Sequence, residues 1–182
     1  NSNKWGYDIG ASGWGNNESQ YYTDRRDNSY VTDGTLKIVA KKEAFSSSQY
    51  TSARLLSKGK YSFKYGKVEV RAKIPAGVGT WPAFWMLGVN IAEETWPHCG
   101  EIDIFEGKGV DPRVVYGTLH GPGYFGESPH GKVIQTESDL CDDFNVFAIE
   151  WSENKISWFM NDDCFFSATA EDVAPNKWVY NQ

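Results

Sequence analysis

Residues 100–107 read GEIDIFEG, with three carboxylates, Glu101, Asp103 and Glu106, and no Lys or Arg between them. As far as Ile104 the run alternates like a strand, acids on one face and isoleucines on the other. Glu106 is out of phase by one residue. A β-bulge, in which one extra residue stands opposite a single partner, returns it to the acidic face, and either Ile104 or Phe105 is that extra residue. The Glu101 and Glu106 backbones then stand roughly 13 Å apart, four strand steps of about 3.3 Å. Side chains leaning toward each other shorten this to near the ~5–5.5 Å between the carboxyls of a double-displacement glycosidase. That chemistry needs one carboxylate ionised to attack and one carboxyl protonated to donate to the leaving oxygen. The spacing leaves open which glutamate does which. Asp103 adds a hydrogen bond or a negative field, which distributes protons unevenly over three coupled groups. The competing readings are a solvated acidic face and a calcium cluster. Like charges this close on one strand repel each other and call for some compensating reason.

The elements that must hold these acids are strands. Leu36, Ile38 and Ala40 alternate with Lys37, Val39 and Lys41, and Val68, Val70, Ala72 and Ile74 alternate with Lys67, Glu69, Arg71 and Lys73, which predicts half-buried antiparallel strands. FNVFAIEW (144–151) and KISWFMN (155–161) flank SEN (152–154), a hairpin signal, and NDD (161–163) marks the next turn. Joints such as AGVGTWP and HGPGYFGESPHG supply surface loops, and no internal repeat is present. The expectation is a sandwich of two antiparallel sheets, all-β, in one domain over 1–182.

The chain has 182 residues, 15% aromatic with eight Trp, a formal charge of -6 and a sequence pI of about 5.1. That balance argues against nucleic acid or an anionic membrane as partner and for a neutral ligand. No window approaches the ~18 apolar residues of a membrane helix, and NSNKWGYD lacks the charged-then-apolar pattern of a leader. Cys99, Cys141 and Cys164 form no C-x-x-C pair, so neither a zinc site nor a disulfide framework is indicated. The count allows one disulfide plus one free thiol, and Cys99 reads as a small buried hydrophobe.

With GTWPAFWML before it and GTLHGPG after it, GEIDIFEG resembles the signature region of family 16 glycoside hydrolases, and most of all their bacterial-type laminarinases. GWGNNESQYYTDR (13–25), DGTLKIVAKKE (33–43), YTSARL (50–55) and YGKVEVRAKIP (65–75) resemble that group in the same order. The resemblance implies a concanavalin-like β-jelly roll with a concave substrate cleft. It further implies Glu101 as nucleophile, Asp103 as assisting acid and Glu106 as acid/base, with no cofactor for catalysis. Lichenase-type members carry the shorter E-x-D-x-E, so the extra residue here points to the laminarinase side. The implied partner is β-1,3-glucan and the implied location extracellular. Mixed-linkage β-glucan is a second substrate class; agarases and carrageenases share the bulged motif, and glucan-recognition proteins keep the fold without the acids.

The same resemblance makes Asn17, Arg54 and His120 cleft residues that hydrogen-bond glucose hydroxyls. Trp81 and Trp85 are four apart and share a face on a strand, offering flat rings to a sugar. Trp96, just before the acidic strand, reads as a cleft wall, whereas Trp151 and Trp158 read as core. Against the family pattern the chain lacks a strand before Trp5 and strands beyond 176–182. The expectation is therefore a partial domain, whether a fragment, an incomplete sequence or one part of a complex in which another chain or copy supplies the gap, with the family's convex-face structural calcium site incomplete and its ligands unassigned.

Overall fold

The computed structural model describes residues 2–181, and every regular element among them is a strand. The chain divides into two compact units, the first ending at Phe63 and the second beginning at Lys64.

The first unit holds β1 (Gly6–Asp8), β2 (Gln20–Tyr22), β3 (Ser29–Thr32), β4 (Thr35–Ile38), β5 (Lys41–Phe45), β6 (Ser48–Ser52) and β7 (Arg54–Leu56). They pair as β1-β7, β2-β6-β5 and β3-β4. The β2–β6 pair is parallel, a departure from the all-antiparallel expectation. The expected strand over 36–41 breaks after Ile38, and its apolar row faces outward, with Leu36 50% and Ile38 55% exposed. A polar network takes the inner side. Asn28, fully buried, donates through Nδ2 to Thr51 Oγ1 at 2.8 Å and to the Val39 carbonyl at 3.0 Å, and accepts from Thr23 Oγ1 at 2.5 Å. Val39 N–H returns a bond to the Asn28 carbonyl at 2.8 Å. Buried polar groups satisfied in this way lock the strand to the network, so here alternation sets the period while the network decides the face.

The second unit holds β8 (Gly66–Ala72), β9 (Ala83–Leu87), β10 (Glu101–Lys108), β11 (Asp111–His120), β12 (His130–Gln135), β13 (Asn145–Trp151), β14 (Lys155–Met160) and β15 (Asp163–Thr169). They form two four-stranded antiparallel sheets, ordered β12-β11-β10-β9 and β15-β14-β13-β8. Both predicted hairpins form. Ser152 N–H closes the first on the Lys155 carbonyl at 2.9 Å. In the second, Met160 pairs with Asp163 across Asn161 and Asp162, whose φ of 49° and 70° are those a two-residue type I′ turn requires.

Ile102, Ile104, Phe105, Val115 and Leu119 from one sheet pack on Phe147, Ile149, Ile156, Trp158 and Ala168 from the other. The Phe105 and Phe147 rings stack at 4.3 Å. Each such large side chain contributes about 1.5–3 kcal/mol on burial. Trp158 is completely buried, as expected, while Trp151 is half-buried and donates to the Tyr180 carbonyl at 2.9 Å. The three cysteines are free thiols, and Cys99 is buried.

Candidate active site

The acidic strand β10 carries the bulge that its alternation demands. Against β9, Asp103 pairs with Trp85, Phe105 with Phe84 and Glu106 with Ala83, which leaves Ile104 as the extra residue on that side. Against β11, Asp103 pairs with Thr118 and Glu106 with Tyr116, so Ile104 and Phe105 together face the single residue Gly117. Both extra side chains turn into the core, at 1% and 4% exposure. Burying two large apolar groups outweighs the loss of about one ladder hydrogen bond, worth ~1 kcal/mol. Glu106 thereby rejoins Glu101 and Asp103 on the outer face of the sheet. Directly opposite the acids on β11 stand His120, Thr118 and Tyr116, and on β9 Leu87, Trp85 and Ala83.

Each glutamate receives an indole N–H. Trp96 Nε1 donates to Glu101 Oε2 at 2.5 Å, and Trp81 Nε1 donates to Glu106 Oε1 at 2.9 Å. Asp103 lies between them, 2% exposed, its Oδ2 without a hydrogen-bond partner among the described residues and 3.2 Å from His120 Nε2. Gly126 N–H donates to His120 Nδ1 at 3.2 Å, so the proton of a neutral His120 ring sits on Nε2, facing Asp103. Burial first, then the neighbouring Asp103 charge, push the Glu101 carboxyl up to about 7, against the opposing pull of His120 and the Trp96 N–H. Asp103 is held well above the ordinary range by burial and then by Glu106. Glu106 is raised by burial, and the Trp81 N–H is the strongest influence holding it down. The carboxyls titrate as a coupled set: a proton held by Asp103, the most enclosed of the three, removes the Asp103 charge that raises Glu101 and so favours ionisation of Glu101 beside it.

This electrostatic arrangement has a thermodynamic signature. A carboxyl with a raised folded-state pKa binds its proton more tightly in the native state than in the unfolded chain. Its contribution is intact below the ordinary glutamate value of 4.5 and is lost as pH rises through about 7. For Glu101 the loss is about 3 kcal/mol. Glu101→Gln is expected to remove most of it, so that thermal unfolding followed from pH 4 to 9 shows a flatter curve and a more stable protein at the alkaline end. Parallel curves for variant and parent would contradict this account of the cluster.

Ligating atoms of Glu101, Asp103 and His120 lie within 4.8 Å of one another. A metal would need the Nε2 lone pair, but the Gly126 N–H already occupies the other ring nitrogen as donor and keeps the proton on Nε2. The trio is therefore better suited to sharing protons than to holding an ion. It is also unlike a calcium shell, which uses six to eight oxygens. No second group of three or more acidic, His or Cys ligands forms among the described residues.

The other predicted residues divide between the two units. Trp81 lies ahead of β9 rather than on it, 49% exposed, so it reaches Glu106 from a loop instead of sharing a strand face with Trp85. Trp85 is half-buried on the acidic face. Trp96 is 42% exposed and packs its ring near His120 at 5.9 Å and edge-on to Phe125 at 5.4 Å. In the first unit, Asn17 occupies a tight turn with φ of 56°. Arg54 on β7 bonds Asp8 Oδ2 through Nε at 2.9 Å, with its guanidinium 4.9 Å from the Trp14 ring centre. Sequence reasoning missed Phe125 and the Gly126 N–H, although an aromatic inside the Gly-rich run GPGYFG was a signal of a ring held at a loop tip.

A bulged E-x-D-x-x-E strand on the open face of a β-sheet, each glutamate bonded by an indole, is a site of the glycoside hydrolase class. Residues 16–182 match the model of the glycosyl hydrolases family 16, and the chain belongs to that family. It is 44% identical over 169 residues to a β-glucanase of Rhodothermus marinus, an alignment that covers 90% of this chain and 58% of the relative. Among solved structures, the laminarinase catalytic domain of Thermotoga maritima matches 99% of the chain with a TM-score of 0.95 at 44% identity, covering 77% of that domain. The endo-β-1,3-glucanase of Pyrococcus furiosus matches all of it with a TM-score of 0.96 at 41% identity, covering 75% of that chain. The fold is the expected all-β jelly roll. The chain spans less than two thirds of the Rhodothermus relative's length.

Proposed function

We propose that this chain is an endo-acting, retaining hydrolase of β-1,3-glucan. The observation that carries the reading is the bulge, which puts Glu101, Asp103 and Glu106 on one face with unequal surroundings. Glu101, beside a protonated Asp103 and the Trp96 N–H, acts as nucleophile and attacks the anomeric carbon. Glu106 donates its proton to the departing glycosidic oxygen, then takes one from the water that hydrolyses the glycosyl-enzyme. Two carboxyl groups suffice, so no cofactor takes part. Trp81, Trp85, Trp96 and Phe125 offer ring faces and edges to the sugar, and His120 lines the same face beside Asp103. A polymeric substrate of this kind goes with an extracellular protein.

The deciding experiment is product analysis on laminarin, lichenan and agarose, with NMR of the first-formed anomer. Oligosaccharides of mixed length from laminarin, released with retained β-configuration, are expected. Preferential cleavage of lichenan or agarose would move the substrate class, and binding without cleavage would make the protein a glucan-recognition module.

Trp81 has two separable tasks in this scheme. Trp81→Phe keeps a ring but removes the N–H that holds Glu106 down, so the limb of the pH–rate profile that reports the acid should move to higher pH with little change in KM. Trp81→Ala should add a loss of roughly 1–3 kcal/mol in binding, if sugar stacking resembles the stacking of other flat ligands. Profiles that coincide with the parent's would remove Trp81 from the proton economy of the site.

A further inference from the structure

On the reading that Glu101 and Glu106 do the chemistry, we propose that Trp158 is a positioning residue: a core indole that holds the bulge from beneath and so sets where the Asp103 carboxyl stands against Glu101 and His120. Trp158 belongs to β14, in the sheet facing the acidic one, and is completely buried. Its Nε1 donates to the main-chain carbonyl of Asp103 at 2.8 Å. Asp103 is the residue at which the register breaks toward both neighbours. The indole therefore supplies a fixed donor where the ladder is interrupted.

Space for the indole comes from Gly117, the residue opposite the bulge. A Cβ there would come within 2.8 Å of Trp158 Cδ1 and 3.2 Å of the Phe165 ring. One strand away, Tyr180 Oη donates to the carbonyl of His120 at 2.8 Å. Both partners of the Asp103–His120 contact thus have their main chain tied to buried aromatic donors. Apart from rotation about its own χ1 and χ2, the place of the Asp103 carboxyl is set by the backbone that carries it, and the carbonyl of that backbone is anchored by Trp158.

The test is Trp158→Phe, which keeps a large ring and deletes the N–H, measured on whichever of laminarin, lichenan or agarose the parent hydrolyses best. A misplacement of this kind costs on the order of 10- to 100-fold, expected in kcat with KM within about twofold, because the indole does not touch substrate. Freed of its anchor, the bulge admits water, so burial raises Glu101 and Asp103 less and the acid limb of the pH–rate profile moves toward the ordinary carboxylate range. Ile156→Val, a buried change in the same strand, is the control and should leave the acid limb in place. In the parent protein, the ¹⁵N-indole resonance of Trp158 should titrate in step with the acid limb, a readout that decides the matter if Trp158→Phe does not fold. Parent kcat and acid limb in folded Trp158→Phe, the same shift in Ile156→Val, or an indole resonance indifferent to pH through the acid limb would each overturn the proposal. Should the parent cleave none of the three polysaccharides, the functional reading falls by itself, and the indole titration, set against the pH-dependence of unfolding, still decides the positioning role.

Discussion

Glu101→Gln and Glu106→Gln are each expected to lower hydrolysis of laminarin by about 10²–10⁴-fold or more, the range that one positioned proton-transfer group supplies, with the nucleophile at the upper end. The two losses should differ in kind. With an activated aryl glycoside, Glu106→Gln still forms the glycosyl-enzyme, because the leaving group needs no proton, and then stalls for want of a base. Azide, which needs no base, should restore turnover to this variant with retention of configuration. In Glu101→Gln azide takes the place of the nucleophile and should give the inverted glycosyl azide. Both substitutions remove a half-buried ionisable carboxyl while keeping the shape of the side chain, so a lower melting temperature at neutral pH would count against the electrostatic picture of the cluster. Azide rescue in the opposite sense would reverse the assignment of the two glutamates.

Much of this site could be read from one run of eight residues because its chemistry lies along a single strand. Carboxylates in alternation, followed by one that is out of phase, imply both a face and a bulge. Which residue is extra could not be read, since Ile104 and Phe105 are both large and apolar and both end in the core; only the partners Phe84 and Trp85 on β9 single out Ile104. The row Leu36, Ile38, Ala40 shows the opposite limit. Its period was legible, but its face depended on Asn28 and Thr51, whose buried network is assembled from residues 23 apart in the chain. Spacing places Trp81 on a strand with Trp85, whereas Trp81 lies in the loop ahead of β9. Its bond to Glu106 spans 25 residues, and the bond from Trp158 to Asp103 spans 55. Periodicity carries no information about contacts of that range, so the acids themselves were visible while the groups that tune and anchor them were not.

Deletion of Ile104 tests what the extra residue is for. Without it, Asp103 and Glu106 stand three apart in number but two apart in the strand's own alternation, with Phe105 between them, so all three acids stay on the outer face of a regular E-x-D-x-E ladder. Phe105 keeps its place opposite Phe84 and against Phe147, whereas deleting Phe105 would also remove that stack. The fold should survive with a penalty of about 2–5 kcal/mol for the lost core side chain. Regular pairing changes the twist and the rise between Asp103 and Glu106 and pulls the Asp103 carbonyl away from Trp158, so the two glutamate carboxyls no longer meet the substrate from their present positions. A displacement of around 1 Å is enough to cost about 10²-fold. The expected outcome is a drop of that order in kcat/KM on laminarin, with mixed-linkage glucan affected less, since the shorter motif resembles that of lichenase-type members. Kinetics on both glucans, with circular dichroism to confirm folding, separate the possibilities. A folded deletion variant that hydrolyses laminarin within about threefold of the parent, well short of that cost, would show that the bulge serves core packing alone and has no part in placing Glu106.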